Sequence, residues 1–302
     1  MKIVVNGGTG FIGEALVEAL GAANYEVICL ARSISAAGRS TRPNVRHEHW
    51  DGHQTGPWTS FVDGADAIVN LAGASISNRW TSAHKKRIVE SRLTTTRSLV
   101  EAIRSARKKP AVLVNASAVG YYGSIESGDV TEERGPGDGF LAETCARWES
   151  EARGVESLGV RLVLLRTGVV LDAGSVALQR MSLPFRLFAG GPVGSGDQWF
   201  SWVHRRDVVG VALSAMTNER LSGPVNVVAP EAVTMKQFCV ALGKALHRPC
   251  WAPVPGFALR LVLGEMATMV LTGQKAVPQA LNRAGYQFAF PHLAQALEEA
   301  LK

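Results

Sequence analysis

Cysteine is scarce in this 302-residue chain, and its placement excludes more than its number. Cys29, Cys145, Cys239 and Cys250 form no C-x-x-C pair and no metal-ligand spacing. No disulfide scaffold or metal site is expected, and a reduced, cytoplasmic setting is the simplest one. Long apolar runs are missing as well. The most apolar late stretch, "LRLVLGEMATMVLTG" (259–273), is short for a bilayer span and carries Glu265. It reads as a buried or groove-lining helix. No segment resembles a signal peptide, and no internal repeat or low-complexity tract occurs. No membrane partner is expected. Acidic residues are outnumbered, 26 against 32 basic ones, giving a net charge of +6. The basic residues are scattered without an aromatic–basic repeat, so a phosphate-bearing small molecule is expected rather than nucleic acid. The densest basic run, "HKKR" at 84–87, reads as a solvated helix face.

What is present begins at once. "KIVV" (2–5) suits a central parallel strand, "NGGTGFIG" follows, and "FIGEALVEALGAA" is an amphipathic helix. Gly7, Gly10 and Gly13 stand at G-x-x-G-x-x-G spacing. Such glycines permit a tight turn, let backbone approach a pyrophosphate, and let the helix pack closely on the strand. The helix N-terminus then faces the phosphates with free N–H groups. Gly7, Thr9, Gly10, Phe11, Ile12 and Gly13 are therefore the expected dinucleotide turn. A second strand, "YEVICLARS" (25–33), ends in Ala31, Arg32 and Ser33 where an NAD-preferring domain usually has an acid. An arginine there suits a 2′-phosphate and predicts NADP(H).

Further strands are read at "NVRHEHWDG" (44–52), where Asp51 could meet the adenine, and at "ADAIVNLAG" (65–73). They continue at "AVLVNASAVGYYG" (111–123) and "RLVLLRTGVVL" (161–171). A long helix is expected over "AHKKRIVESRLTTTRSLVEAIRSA". Strands alternating with helices predict an α/β fold with a doubly wound parallel sheet, its ligands at the carboxyl ends of the strands. Leu71, Ala72, Gly73 and Val169 would flank the cofactor there.

On "NGGTGFIG", "NLAG", "NASAVGYYG" and "LRTGVVL", the chain resembles the extended short-chain dehydrogenases/reductases, which include nucleotide-sugar epimerases and dehydratases. The tail "KAVPQALNRAGYQFAFPHLAQALEEAL" is similar to that of an atypical, epimerase-like subgroup of unknown substrate. The resemblance implies a Rossmann-type domain over 1–171 and 203–228. It also implies a small, mostly α cap over 172–202 and 229–302. It implies, too, a catalytic tyrosine and lysine four residues apart within "GDGFLAETCARWESEA" (137–152). This chain has neither: the tyrosine position falls on Leu141 and the lysine position on Cys145. Ser117 matches the family's serine, and Arg92 stands where an asparagine is usual.

Replacement chemistry could come from Ser117, from Tyr121 or Tyr122 as proton donor, or from Cys145 as nucleophile. Of the two tyrosines, one is expected to pack and the other to line the pocket. Arg92 is expected on the cofactor, and His204 is a candidate for facing substrate. Two functions fit. One is an NADP(H)-dependent oxidoreductase or epimerase acting on a small polar, including nucleotide-sugar-like, substrate. The other is an NADP(H)-binding, redox-responsive regulatory protein with little catalysis. The family's habit of pairing through two long helices makes a homodimer an expectation.

Overall fold

The computed structural model describes residues 1–32, 42–53 and 55–302. Ser33, expected at the 2′-phosphate, lies outside the described residues. Seven strands form one sheet: β1 (Lys2–Asn6), β2 (Glu26–Ala31), β3 (Val45–His49), β4 (Ala67–Asn70), β5 (Val112–Ala118), β7 (Arg161–Thr167) and β11 (Gly223–Val227). The short β6 (Asp129–Val130), β8 (Val169–Leu171), β9 (Trp199–Phe200), β10 (Trp202–His204), β12 (Val233–Thr234) and β13 (Lys275–Ala276) pair among themselves outside it.

The order across the sheet is β3-β2-β1-β4-β5-β7-β11, and every pairing is parallel. The chain winds outward from β1 to β3, then restarts at β4 on the other side of β1. That reversal opens a crevice at the carboxyl ends of β1 and β4. The doubly wound expectation therefore holds.

The inner strands are apolar on both faces because helices cover both, whereas the edge strand β3 reads VRHEH and buries only Val45. Ile3 and Val5 face one core with Leu16, Val17 and Leu20 of α1 (Phe11–Ala22) and with Val208, Val211 and Ala212 of α5 (Arg205–Thr217). Val4 faces the opposite core with Leu99, Ala102 and Ile103 of α2 (Ser82–Ser105) and with Ala152 of α3 (Phe140–Ala152). Full burial of such a Val, Leu or Ile contributes about 1.5–3 kcal/mol.

A third core joins β9 and β10 to α4 (Val176–Arg186), α6 (Met235–Ala245) and α10 (Leu293–Ala300) around Phe200, Trp202 and Phe238. The late apolar stretch is not one buried helix. It breaks at Gly264, φ +60°, between α7 (Gly256–Leu263) and a 3-10 turn that runs into α8 (Thr268–Leu271). None of α7 is buried. α9 (Gln279–Arg283) then leads toward the C-terminal segment.

Candidate active site

The strand–turn–helix leaves no room for side chains at two of its glycines. Gly7 has φ +81°, and a Cβ there would stand 2.8 Å from the Ala72 nitrogen. A Cβ on Gly13 would stand 2.2 Å from the Gly7 carbonyl oxygen. The turn closes with Gly10 N–H donating to Gly7 C=O at 3.0 Å. α1 starts at Gly10 with no side-chain cap, so its first amides stay open toward the crevice. Thr9 and Gly10 are exposed, and Phe11 and Ile12 are half-buried. A cradle of backbone this tight fits a pyrophosphate.

The strand ends beside it are held by amides. Asn6, Asn70 and Asn115 are register partners on β1, β4 and β5. Asn6 Nδ2 donates to Asn70 Oδ1 at 2.8 Å, and Asn70 Nδ2 donates to Asn115 Oδ1 at 2.7 Å. Leu71 and Ala72 leave this row half-buried, and Gly73 is exposed. Arg32 is exposed at the end of β2, and Asp51 is exposed beyond β3, accepting from His53 N–H at 2.8 Å. Val169 is half-buried across the crevice, its N–H on Ser201 C=O at 2.8 Å.

Arg92 reaches the rim from α2. Its Nη1 donates to Ala74 C=O at 3.1 Å and Ile88 C=O at 3.0 Å, and its guanidinium lies 5.0 Å from the Trp148 ring centroid. A Cβ on Gly73 would stand 3.0 Å from its Cζ. Burial lowers the guanidinium's hold on its proton, and no carboxylate lies within 4.0 Å of it among the described residues.

Beneath Ser117 lies an ion pair that the sequence reading did not anticipate. Arg166 on β7 holds Glu149 on α3 through Nε–Oε1 and Nη2–Oε2 bonds, both 2.9 Å. Burial works against the Arg166 charge, but the bonds and charge of Glu149 outweigh it and raise its pKa. Ser117 Oγ donates to Glu149 Oε1 at 2.7 Å. Arg166 Nη1 also donates to Tyr122 Oη at 2.9 Å, and Tyr122 donates in turn to Asn226 Oδ1 at 2.7 Å.

The two tyrosines differ sharply. Tyr122 is 2% exposed, and burial pushes its phenol up to about 12. Tyr121 is half-buried, with the Arg166 guanidinium 3.6 Å from its ring centroid, and its hydroxyl has no hydrogen-bond partner among the described residues. Cys145 is buried one turn after Leu141. Burial pushes its thiol up to about 11; Arg92 opposes the shift and Glu149 adds to it. Such a thiol is a weak nucleophile at neutral pH. Leu141 packs with Phe140, Ile76 and Leu263 around Trp80 and Met266, so an apolar wall stands where the family resemblance places a phenol.

His204 does not face a cleft. It is 2% exposed, caps α5 by accepting from Arg206 N–H, and its ring lies on Phe290 at 3.9 Å between centroids. Asp207 is more than a helix-dipole residue: its carboxylate accepts from Ala289 N–H at 2.7 Å and Phe290 N–H at 3.0 Å. Two signals could have revealed the missed pair. Arg166 interrupts an otherwise apolar strand, and Glu149 falls one turn after Cys145 on the inward face of α3.

The pattern of the NAD dependent epimerase/dehydratase family matches residues 3–228. The chain belongs to this family. Residues 254–300 match a second pattern, a domain of unknown function (DUF1731). The epimerase family protein SDR39U1 homolog, chloroplastic, of Arabidopsis thaliana is 42% identical over 100% of this chain and 87% of its own length. The epimerase family protein YfhF of Bacillus subtilis is 37% identical over 100% of this chain and 98% of its own. The crystal structure of human epimerase family protein SDR39U1 with NADPH superposes with a TM-score of 0.87. It is 36% identical and covers 100% of this chain and 99% of that one. Among the described residues no helix is long and apolar enough to cross a membrane.

Proposed function

We propose that this epimerase-family chain is an NADP(H)-dependent oxidoreductase of the extended short-chain dehydrogenase type, with a relocated proton donor. The observation that carries the reading is the glycine cradle, where a Cβ on Gly13 would stand 2.2 Å from the Gly7 oxygen beside an uncapped helix start. The NADPH held by the human SDR39U1 structure supports the same cofactor here. Gly7, Thr9, Gly10, Phe11, Ile12 and Gly13 hold the pyrophosphate. Arg32, with Ser33, takes the 2′-phosphate, and Asp51 the adenine side. Leu71, Ala72, Gly73 and Val169 flank the nicotinamide half, and Arg92 supplies the cation that a lysine gives elsewhere in the family. The Rossmann part comprises 1–171 and 203–228, and the remainder caps it.

When bound, the nicotinamide donates or accepts the hydride. The chain's own residues manage the substrate oxygen. Glu149, paired with Arg166, takes the Ser117 proton, so the Ser117 lone pairs are left to accept from Cys145 or from a substrate hydroxyl. Ser117 therefore orients a substrate hydroxyl. Tyr121, the phenol without an internal partner, exchanges the proton with that oxygen. The apolar wall at Leu141, Phe140 and Trp80 supports a carbonyl or carbinol compound with an apolar group at that side.

A second reading is a cofactor-binding regulatory protein with little catalysis. It is favoured by the commitment of Ser117 and Tyr122 to buried partners. Incubating the NADP+-loaded protein with fractionated metabolite extract separates the two. Growth of reduced-nicotinamide absorbance in one fraction, lost in Arg32→Ala, supports the enzyme. Silence with NADPH binding intact supports the regulator.

A further inference from the structure

The outward face of α7 is apolar and uncovered. Phe257, Leu261 and Val262 are 76%, 83% and 69% exposed. At about 100° per residue Phe257, Arg260 and Leu261 share one side of the helix, Val262 lies at its edge, and Leu259 and Leu263 turn inward. A second apolar group lies at the end of α4, where Phe188 is 57% and Trp251 68% exposed. Trp251 Nε1 donates to Phe188 C=O at 2.9 Å, which fixes the indole. The two groups are joined by a ribbon. Ala252 N–H donates to Gly190 C=O, Val254 N–H to Pro192 C=O, and Val193 bridges Val254 in parallel. Patches of this kind mark contact surfaces.

The two segments that carry these groups hold charge of one sign. No Asp or Glu occurs from 173 to 196 or from 232 to 264, the two segments that carry the patch. The charges they carry are basic, among them Arg186, Arg248 and Arg260. Arg248 lies 4.5 Å from the Phe188 ring centroid, and no carboxylate lies within 4.0 Å of these three among the described residues. Pairing with a second copy through this face would set arginine against arginine, which disfavours self-association. Protruding aromatic tips ringed by arginine suit a fluid anionic interface, where tips enter the acyl boundary and guanidiniums meet headgroups.

We infer that this cap face docks on an anionic lipid surface, without spanning it. The probe is co-sedimentation of the full chain with phosphatidylcholine vesicles and with phosphatidylcholine–phosphatidylglycerol vesicles. Wild type pellets with the mixed vesicles, less at high salt, and little with phosphatidylcholine alone. Phe257→Ser with Leu261→Ser weakens the partition about tenfold or more. Arg260→Gln weakens it about fivefold. NADPH affinity stays at the wild-type value in each variant, which reports an intact fold. Failure of wild type to pellet, equal pelleting with both vesicle types, or unchanged pelleting of the double variant overturns the inference. A dimer in sedimentation velocity that Phe257→Ser dissolves would give the face to a second copy instead.

Discussion

Arg166 and Glu149 meet side-on in the floor of the candidate site, two bonds of 2.9 Å between side chains that are each 2% exposed. Leaving one ion without the other in so dry a place costs about 3–5 kcal/mol. Arg166→Met or Glu149→Leu is expected to lower the urea midpoint accordingly. The double replacement is expected to recover most of that loss. If the single variants unfold at the wild-type midpoint, the pair does not hold the floor.

Gly13→Ala puts a methyl group 2.2 Å from the Gly7 oxygen. Overpacking of about 1–3 kcal/mol is expected, or roughly 5- to 150-fold in NADPH affinity. Fluorescence titration of NADPH measures it directly, and undiminished affinity would remove the cradle from the cofactor site.

Arg32 stands exposed at the end of β2. Arg32→Ala is expected to weaken NADPH by roughly 10- to 150-fold, the value of a charged hydrogen bond of about 1.5–3 kcal/mol. NADH affinity should hardly move. Equal losses for the two cofactors would take the 2′-phosphate away from this residue.

The two adjacent tyrosines should part ways on mutation. Tyr122→Phe strands Asn226 Oδ1 and an Arg166 N–H, and is expected to cost about 1–3 kcal/mol of stability. Tyr121→Phe breaks no internal hydrogen bond and should leave stability and NADPH affinity in place while turnover falls. Turnover retained by Tyr121→Phe would return the search for the proton donor to its start.

His204 gives the fold a pH dependence. Burial lowers its pKa from 6.5; Asp172 and Asp207 pull the other way, Arg206 adds to the lowering, and Glu299 opposes it. Its Nδ1 accepts from Arg206 N–H, so the neutral ring carries its proton on Nε2, a buried atom with no hydrogen-bond partner among the described residues. Because the folded pKa lies below the unfolded one, the unfolded chain binds the extra proton more readily. The neutral ring's contribution is full above about pH 6.5 and is lost as pH falls from there through the folded pKa. Thermal unfolding of His204→Gln should show a flatter profile over that interval; an unchanged slope would assign it to other groups.

The nucleotide half was legible because its signals are local. A strand, a glycine turn and a helix occupy adjacent residues, and periodicity reports them without knowledge of the partner elements. The boundaries moved only slightly: "YEVICLARS" became Glu26–Ala31, and "RLVLLRTGVVL" split at Gly168 into β7 and β8. The Arg166–Glu149 pair was illegible because it joins a strand to a helix, and neither residue stands in a motif. His204, one candidate for the cleft, could not be decided from sequence because a histidine beside charges looks the same there whether it faces a cleft or caps a helix. The buried reading of α7 failed because hydropathy records an apolar side chain, not whether the fold has anything to set against it.

The row of Asn6, Asn70 and Asn115 makes one beam of three strand ends. It runs from Asn6 to the Ala116 carbonyl, 2.8 Å from Asn115 Nδ2, and Asn70 Oδ1 at its middle also accepts from Ala72 N–H at 3.4 Å. Neither end can rise or sink without bending amides that are 0–5% exposed. Slow amide exchange should therefore extend along the whole lip, from the glycine turn to the strand end that carries Ser117. Any adjustment to ligands of different size is left to elements outside this row.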